Sequence, residues 1–187
     1  MPIPLGVLAV AGAGGAALPS YELIQSVTSG YFQNIDFTNL QTQSSNYRHL
    51  QLRGVVRATG GDGTLSMKIN EASSGYAYHW LGRSEYNANV NSSGAGSVLS
   101  INLGTMPQTA DIFASFVIDI LDAFSTSKNK TVRVSWGSTT GASDPRAIYI
   151  MSGLYNSTSA ITSINFNSGN NPVLATGTRI SLYGIRG

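Results

Sequence analysis

This sequence predicts an all-β fold: one β-sandwich domain, of jelly-roll type, behind an extended N-terminal arm. Three observations carry that expectation. Charged residues make up only 11% of the 187 residues, against roughly 25% in an ordinary soluble domain. The chain holds 21 glycines, and Ser, Thr and Asn crowd the gaps between apolar runs, so surface polarity comes mostly from neutral hydroxyls and amides. From Tyr21 onward apolar and polar residues alternate at period two, and no long stretch keeps the period of a helix. A chain of this length suits one domain and hides roughly 70% of its unfolded surface, enough to build a core of its own.

Residues 1–20, MPIPLGVLAVAGAGGAALPS, form the arm, and residues 21–187 form the sandwich. The arm carries no charged side chain, and the first basic residue is Arg48, so it lacks the basic start of a secretory signal. Pro2, Pro4 and four glycines interrupt it, whereas a membrane span needs about 20 steadily apolar residues. Its Ile3, Leu5, Val7 and Leu8 are candidate anchoring residues.

Ten or so short strands follow. YELIQSV and NIDFTNL come first. In YRHLQLRGVVR, Leu50, Leu52 and Val56 share one face, and His49, Gln51, Arg53 and Arg57 the other. TLSMKIN turns Leu65, Met67 and Ile69 inward, and the Asp62–Gly63 pair of the intervening TGGDG suits a tight hairpin turn. YAYHWLG follows. SVLSINLG places Leu99, Ile101 and Leu103 on one side, and TVRVSW does the same with Val132, Val134 and Trp136. AIYIMSGLY and ITSINF precede TRISLYGIRG, where Ile180 and Leu182 oppose Tyr183 and Ile185.

The stretch FASFVIDIL is apolar on both parities: Phe116, Ile118 and Ile120 against Phe113, Val117 and Leu121. Such a strand lies mid-sheet or against another subunit. It holds Asp119, and Asp122 follows one residue beyond it. Their opposite parity makes the side chains diverge, whereas shared-proton carboxylate chemistry needs them to converge. Asp122 reads as a loop fixture at the start of AFSTSKNK, and Arg133 on the returning strand is a candidate partner for Asp119.

Other chemistry finds little support. The net charge is +2, with basic residues spread from Arg48 to Arg186, so the clustered stripe that nucleic acid requires is missing. Cysteine is absent, which removes disulfides and thiolate chemistry. Gly12, Gly14 and Ala17 spell a dinucleotide fingerprint, but Pro19 and a β pattern follow where a helix should start. His49 and His79 lie far apart without metal-ligand spacing. There is no nucleophile elbow or Walker lysine, and nine carboxylates show no glycosidase pairing. Asn91, Asn129 and Asn156 head N-x-[ST] triplets, which matter only in a eukaryotic secretory route. No catalytic, cofactor or metal residue is expected. Tyr76, Tyr78 and Trp80 share a strand face and Tyr86 follows them; they suit core or subunit contact, or stacking on a glycan ring.

YRHLQLRGVVR, SMKIN, FASFVIDILDAFSTSKNKTVR, SGLYNSTSAITSINF and GTRISLYGIRG, in this order, resemble a family of tailed-phage virion proteins abundant among cyanophages. The resemblance covers roughly residues 21–187, and VIDILDAFSTSKNKT and SLYGI are its most specific parts. Family members are head-surface decoration proteins and tail-fibre or tailspike tip domains. The resemblance implies a homotrimeric β-sandwich on the virion surface, assembled in the host bacterial cytoplasm, with no catalytic residues. A fibre needs a shaft of heptads or repeats, which this sequence does not contain. The expected function is therefore capsid decoration, with the major capsid protein as partner and no nucleic acid or membrane. The alternative is a small fibre-tip module that is attached to a tail or baseplate protein and binds host surface polysaccharide.

Overall fold

The structure, a computed structural model, describes residues 20–60, 63–84, 91–138, 147–169 and 173–187. Their strands in chain order are β1 (Tyr21–Thr28), β2 (Asn34–Phe37), β3 (His49–Val56), β4 (Ala58–Thr59), β5 (Thr64–Ile69), β6 (Tyr76–Ser84) and β7 (Asn91–Val98). Then come β8 (Ile101–Thr105), β9 (Ala114–Leu121), β10 (Lys130–Ser138), β11 (Ala147–Tyr155), β12 (Ile164–Ser168), β13 (Val173–Leu174) and β14 (Arg179–Ile185). One short 3-10 turn, Leu40–Gln43, interrupts the β pattern.

The fold is all-β and its pairings are antiparallel. A large sheet of eight strands runs β1-β14-β3-β9-β10-β11-β6-β7, a smaller one runs β2-β12-β5-β8, and β13 pairs with β4. Strand β9 is fourth of eight, mid-sheet; Phe116, Ile118 and Ile120 face the core, while Val117 and Leu121 lie on the outer face, Leu121 41% exposed. Gly61 and Asp62 of the expected TGGDG turn lie outside the described residues, and the strands it would join, β3 and β5, do not pair with each other. Strand β3 lies between β14 and β9 in the large sheet, whereas β5 lies between β12 and β8 in the small one. Alternation tells which face a residue takes; it does not name the neighbouring strand.

The core lies between the sheets. Leu50, Leu52, Ile118, Ile120, Val132, Val134, Ile180 and Leu182 face Ile35, Phe37, Leu65, Met67, Ile69, Ile101, Leu103, Ile164 and Phe166, all buried. Each such side chain contributes roughly 1.5–3 kcal/mol when withdrawn from water. Phe116 joins the layers, its ring 6.0 Å from Trp136 and 5.9 Å from Phe166. Leu99 departs from its expected inward row. It sits in the bend between β7 and β8, 65% exposed, because the chain changes sheets there.

Polar side chains fix the turns. Asn70 has φ 53°, a left-handed conformation that Asn tolerates. Its Oδ1 accepts from the backbone N–H of Thr162 at 2.7 Å and of Ser163 at 3.2 Å, tying β5 to the entry of β12. Lys130 points inward from β10 and is fully buried. Its Nζ donates to the carbonyls of Ser125 (2.7 Å), Lys128 (2.8 Å) and Thr158 (3.2 Å). One ammonium thus pins the β9–β10 loop to the segment after β11, and its burial lowers its pKa.

Candidate functional site

The uneven widths of the two sheets create the site. Strand β8 is the margin of the small sheet, and its Cα atoms come within 8 Å of those of β10 and β6. Stacked sheets ordinarily stand about 10 Å apart. The close approach occurs where Gly104, at φ 151°, lies on the Trp136 indole; a Cβ there would come within 2.6 Å of the ring. Glycine is required for both reasons. Past this point the inner face of β6 and β11 opens into a cleft of about 170 Å³.

Tyr78, Trp80 and Tyr149 line one wall of the cleft, and Asn102, Gly104 and Thr105 line the other. The Trp80 and Tyr149 rings meet at 5.2 Å and 70°, an edge-to-face pair. Burial raises the pKa of the Tyr149 phenol, so its hydroxyl is a neutral donor. The side-chain polar groups of Tyr78, Trp80, Asn102, Thr105 and Tyr149 make no hydrogen bond to another protein group among the described residues. No charged side chain lines the cleft among the described residues.

Tyr76 shares the strand face but not the site. It is fully buried and stacks on Tyr155 at 5.0 Å. Its hydroxyl accepts from the Ile69 N–H at 2.7 Å and donates to the Ile69 carbonyl at 2.9 Å, and burial pushes its pKa up to about 12. Tyr76 therefore bolts β6 to β5 across the core. Tyr86 lies outside the described residues, as do Ile3, Leu5, Val7 and Leu8 of the arm and the Gly12–Ala17 fingerprint. Sequence pattern alone does not single out Asn102, Gly104 and Thr105. The glycine inside the strand-like INLGT is the signal that marks a close approach there.

Asp119, Asp122 and His49 tie segments of the scaffold together. Asp119 stands opposite Arg133 in register, yet its Oδ1 accepts from Gln51 Nε2 at 2.7 Å, and among the described residues it forms no ion pair with Arg133. Gln51 is its cross-strand neighbour on the other side, and Arg133 is exposed, where an ion pair would gain little. Asp122 has φ 48° and accepts from Lys128 Nζ and Arg48 Nε, each at 2.7 Å. Those hydrogen bonds, that of Lys128 first, lower its pKa to about 2. The Asp122 N–H donates to His49 Nδ1 at 2.9 Å. His49 on β3 and His79 on β6 stand four strand spacings apart, about 19 Å, so they share no ligand. Among the described residues no cluster of three His, Asp or Glu could hold a metal ion.

The outer face of the large sheet is divided. On the β1–β14–β3–β9 side polar groups bond one another: Tyr21 Oη and Arg53 Nε donate to Gln51 Oε1, and Ser26 meets Ser181 at 2.8 Å. Arg53 also lies over the stacked rings of Tyr21 and Tyr183. On the β11–β6 side Ile148 and Ile150, each 64% exposed, stand beside Leu81, 53% exposed. Gly137 of β10 leaves a shallow groove beside the two isoleucines. Comparison with protein-family models, with curated proteins and with solved structures found no match.

Proposed function

We propose that this chain is a structural protein of a tailed-phage virion: a trimeric decoration protein whose work is contact rather than turnover. The single observation that carries the reading is the exposed apolar row Leu81, Ile148 and Ile150 on an ordered sheet face. An apolar row on a flat sheet favours a protein partner over water. Its neighbours on β10 and β11 are Ser135, Gly137 and Ser152, and Arg83 stands opposite Ile148 at one end, so the fitting occupant is an apolar surface that leaves that guanidinium at the rim. A second copy of this chain, only 11% charged, supplies one, in keeping with the trimeric family it resembles. The arm then brings Ile3, Leu5, Val7 and Leu8 from each copy to the shell, where three weak contacts act as one. Deleting residues 1–18 should leave a folded trimer that no longer decorates particles; normal decoration by the truncated chain refutes the anchoring role.

A second reading, a fibre-tip module attached to a tail or baseplate protein, is favoured by the aromatic cleft. Imaging whole particles carrying a labelled copy separates the two. Label on the head facets supports decoration of the major capsid protein, and label at the tail tip supports the tip module.

A further inference from the structure

We propose that the cleft between β6, β11 and β8 binds one neutral hexopyranose ring. The inference goes beyond virion attachment and holds wherever on the particle the protein sits. Four observations converge on it. First, Trp80 and Tyr149 form a right-angled aromatic corner, and an aromatic face attracts the C–H face of a sugar ring. Second, the cleft of about 170 Å³ is well below the roughly 300–1,000 Å³ of pockets that enclose drug-sized ligands, so it takes one ring rather than a chain. Third, the Tyr78 and Tyr149 hydroxyls, the Trp80 N–H, the Asn102 amide and the Thr105 hydroxyl are all unspent on protein partners among the described residues. Several donors and acceptors around an aromatic floor match a ligand carrying a hydroxyl on most of its carbons, and they match a flat hydrocarbon poorly. Fourth, the lining carries no charge, so a uronic acid would lose its hydration without gaining a cation.

Gly104 keeps the polar wall low. Any side chain there would strike Trp136, and its absence leaves the cleft open between Asn102 and Thr105. The site is shallow and half open, so affinity per copy is weak and gains from several copies on one surface.

Ligand-observed NMR on the full-length chain tests this, with methyl glucopyranoside, methyl galactopyranoside and methyl N-acetylglucosaminide as probes and methyl glucuronide as the acidic comparison. At least one neutral glycoside should show saturation transfer, and the glucuronide about tenfold less. Trp80→Ala should abolish the signal. Because that variant removes a half-buried ring, Asn102→Ala and Tyr149→Phe serve as gentler variants, each lowering affinity several-fold with an unchanged melting temperature. Trp80 and Trp136 are the two tryptophans of the chain, so the fluorescence change on binding should come from Trp80 and persist in Trp136→Phe. No transfer to any neutral glycoside overturns the proposal. So does unchanged binding in folded Trp80→Ala, or a preference for the glucuronide. Polysaccharide that binds while all simple glycosides fail also overturns it, by placing recognition outside a one-ring site.

Discussion

The two sides of the large sheet obey the same alternation rule and finish differently. Toward β1, β14, β3 and β9, outward polar groups are satisfied within the chain: Tyr21 and Arg53 on Gln51, Gln51 on Asp119, and Arg48 and Lys128 on Asp122. Toward β11 and β6, the outer surface shows Ile148, Ile150 and Leu81, and the inner surface opens into a cleft whose polar groups bond no protein partner among the described residues. The first side also exposes Leu23 (53%) and Leu121 (41%), but its named polar groups are paired within the chain. The second carries both apolar surface and hydrogen-bonding capacity in reserve. Stability is therefore concentrated on one side and recognition on the other, and substitutions on the two sides should separate accordingly.

The largest effect is expected at Lys130. Lys130→Ala strips a donor from three carbonyls at about 1–3 kcal/mol each, so urea unfolding should show a loss of about 3 kcal/mol or more. A loss under about 1 kcal/mol would mean that the carbonyls find water, and that this end is less closed than described. A matched pair of tyrosines comes next. Tyr76→Phe leaves the buried Ile69 N–H and carbonyl without the hydroxyl and should cost about 1–3 kcal/mol. Tyr149→Phe removes a hydroxyl that bonds nothing in the described protein and should change stability by less than about 0.5 kcal/mol. Equal effects would erase the distinction between core and cleft.

The smallest effect is the acid response of Asp122. Its folded pKa of about 2 lies below the ordinary 3.8. Its contribution is therefore fully present above about pH 4 and fades as pH falls through about 2. Thermal unfolding followed from pH 5 to pH 2 should decline less steeply in Asp122→Asn than in the parent; superimposable profiles would remove Asp122 from the account.

Alternation alone makes most of the core legible in the sequence. Leu50, Leu52, Leu65, Met67, Ile69, Val132, Val134 and Trp136 all face inward as their spacing requires. Period two reports a face and nothing about which strand lies alongside, so it cannot reveal that β3 and β5 belong to different sheets. The same limit governs the site. Tyr76, Tyr78 and Trp80 are legible as one stripe, but where the stripe passes from core to cleft depends on how far β8 reaches across it. Lys130 reads as one of several polar loop residues in STSKNKT, because three backbone carbonyls meeting at one point leave no trace in side-chain pattern.

The reserved side is tested most directly by the mass of the purified chain in solution, by light scattering, for the parent and for the Ile148→Lys/Ile150→Lys double variant. The account predicts three times the chain mass for the parent and one chain mass for the variant, with circular dichroism and melting temperature nearly unchanged. A monomeric parent, or a variant that remains fully associated, would contradict it.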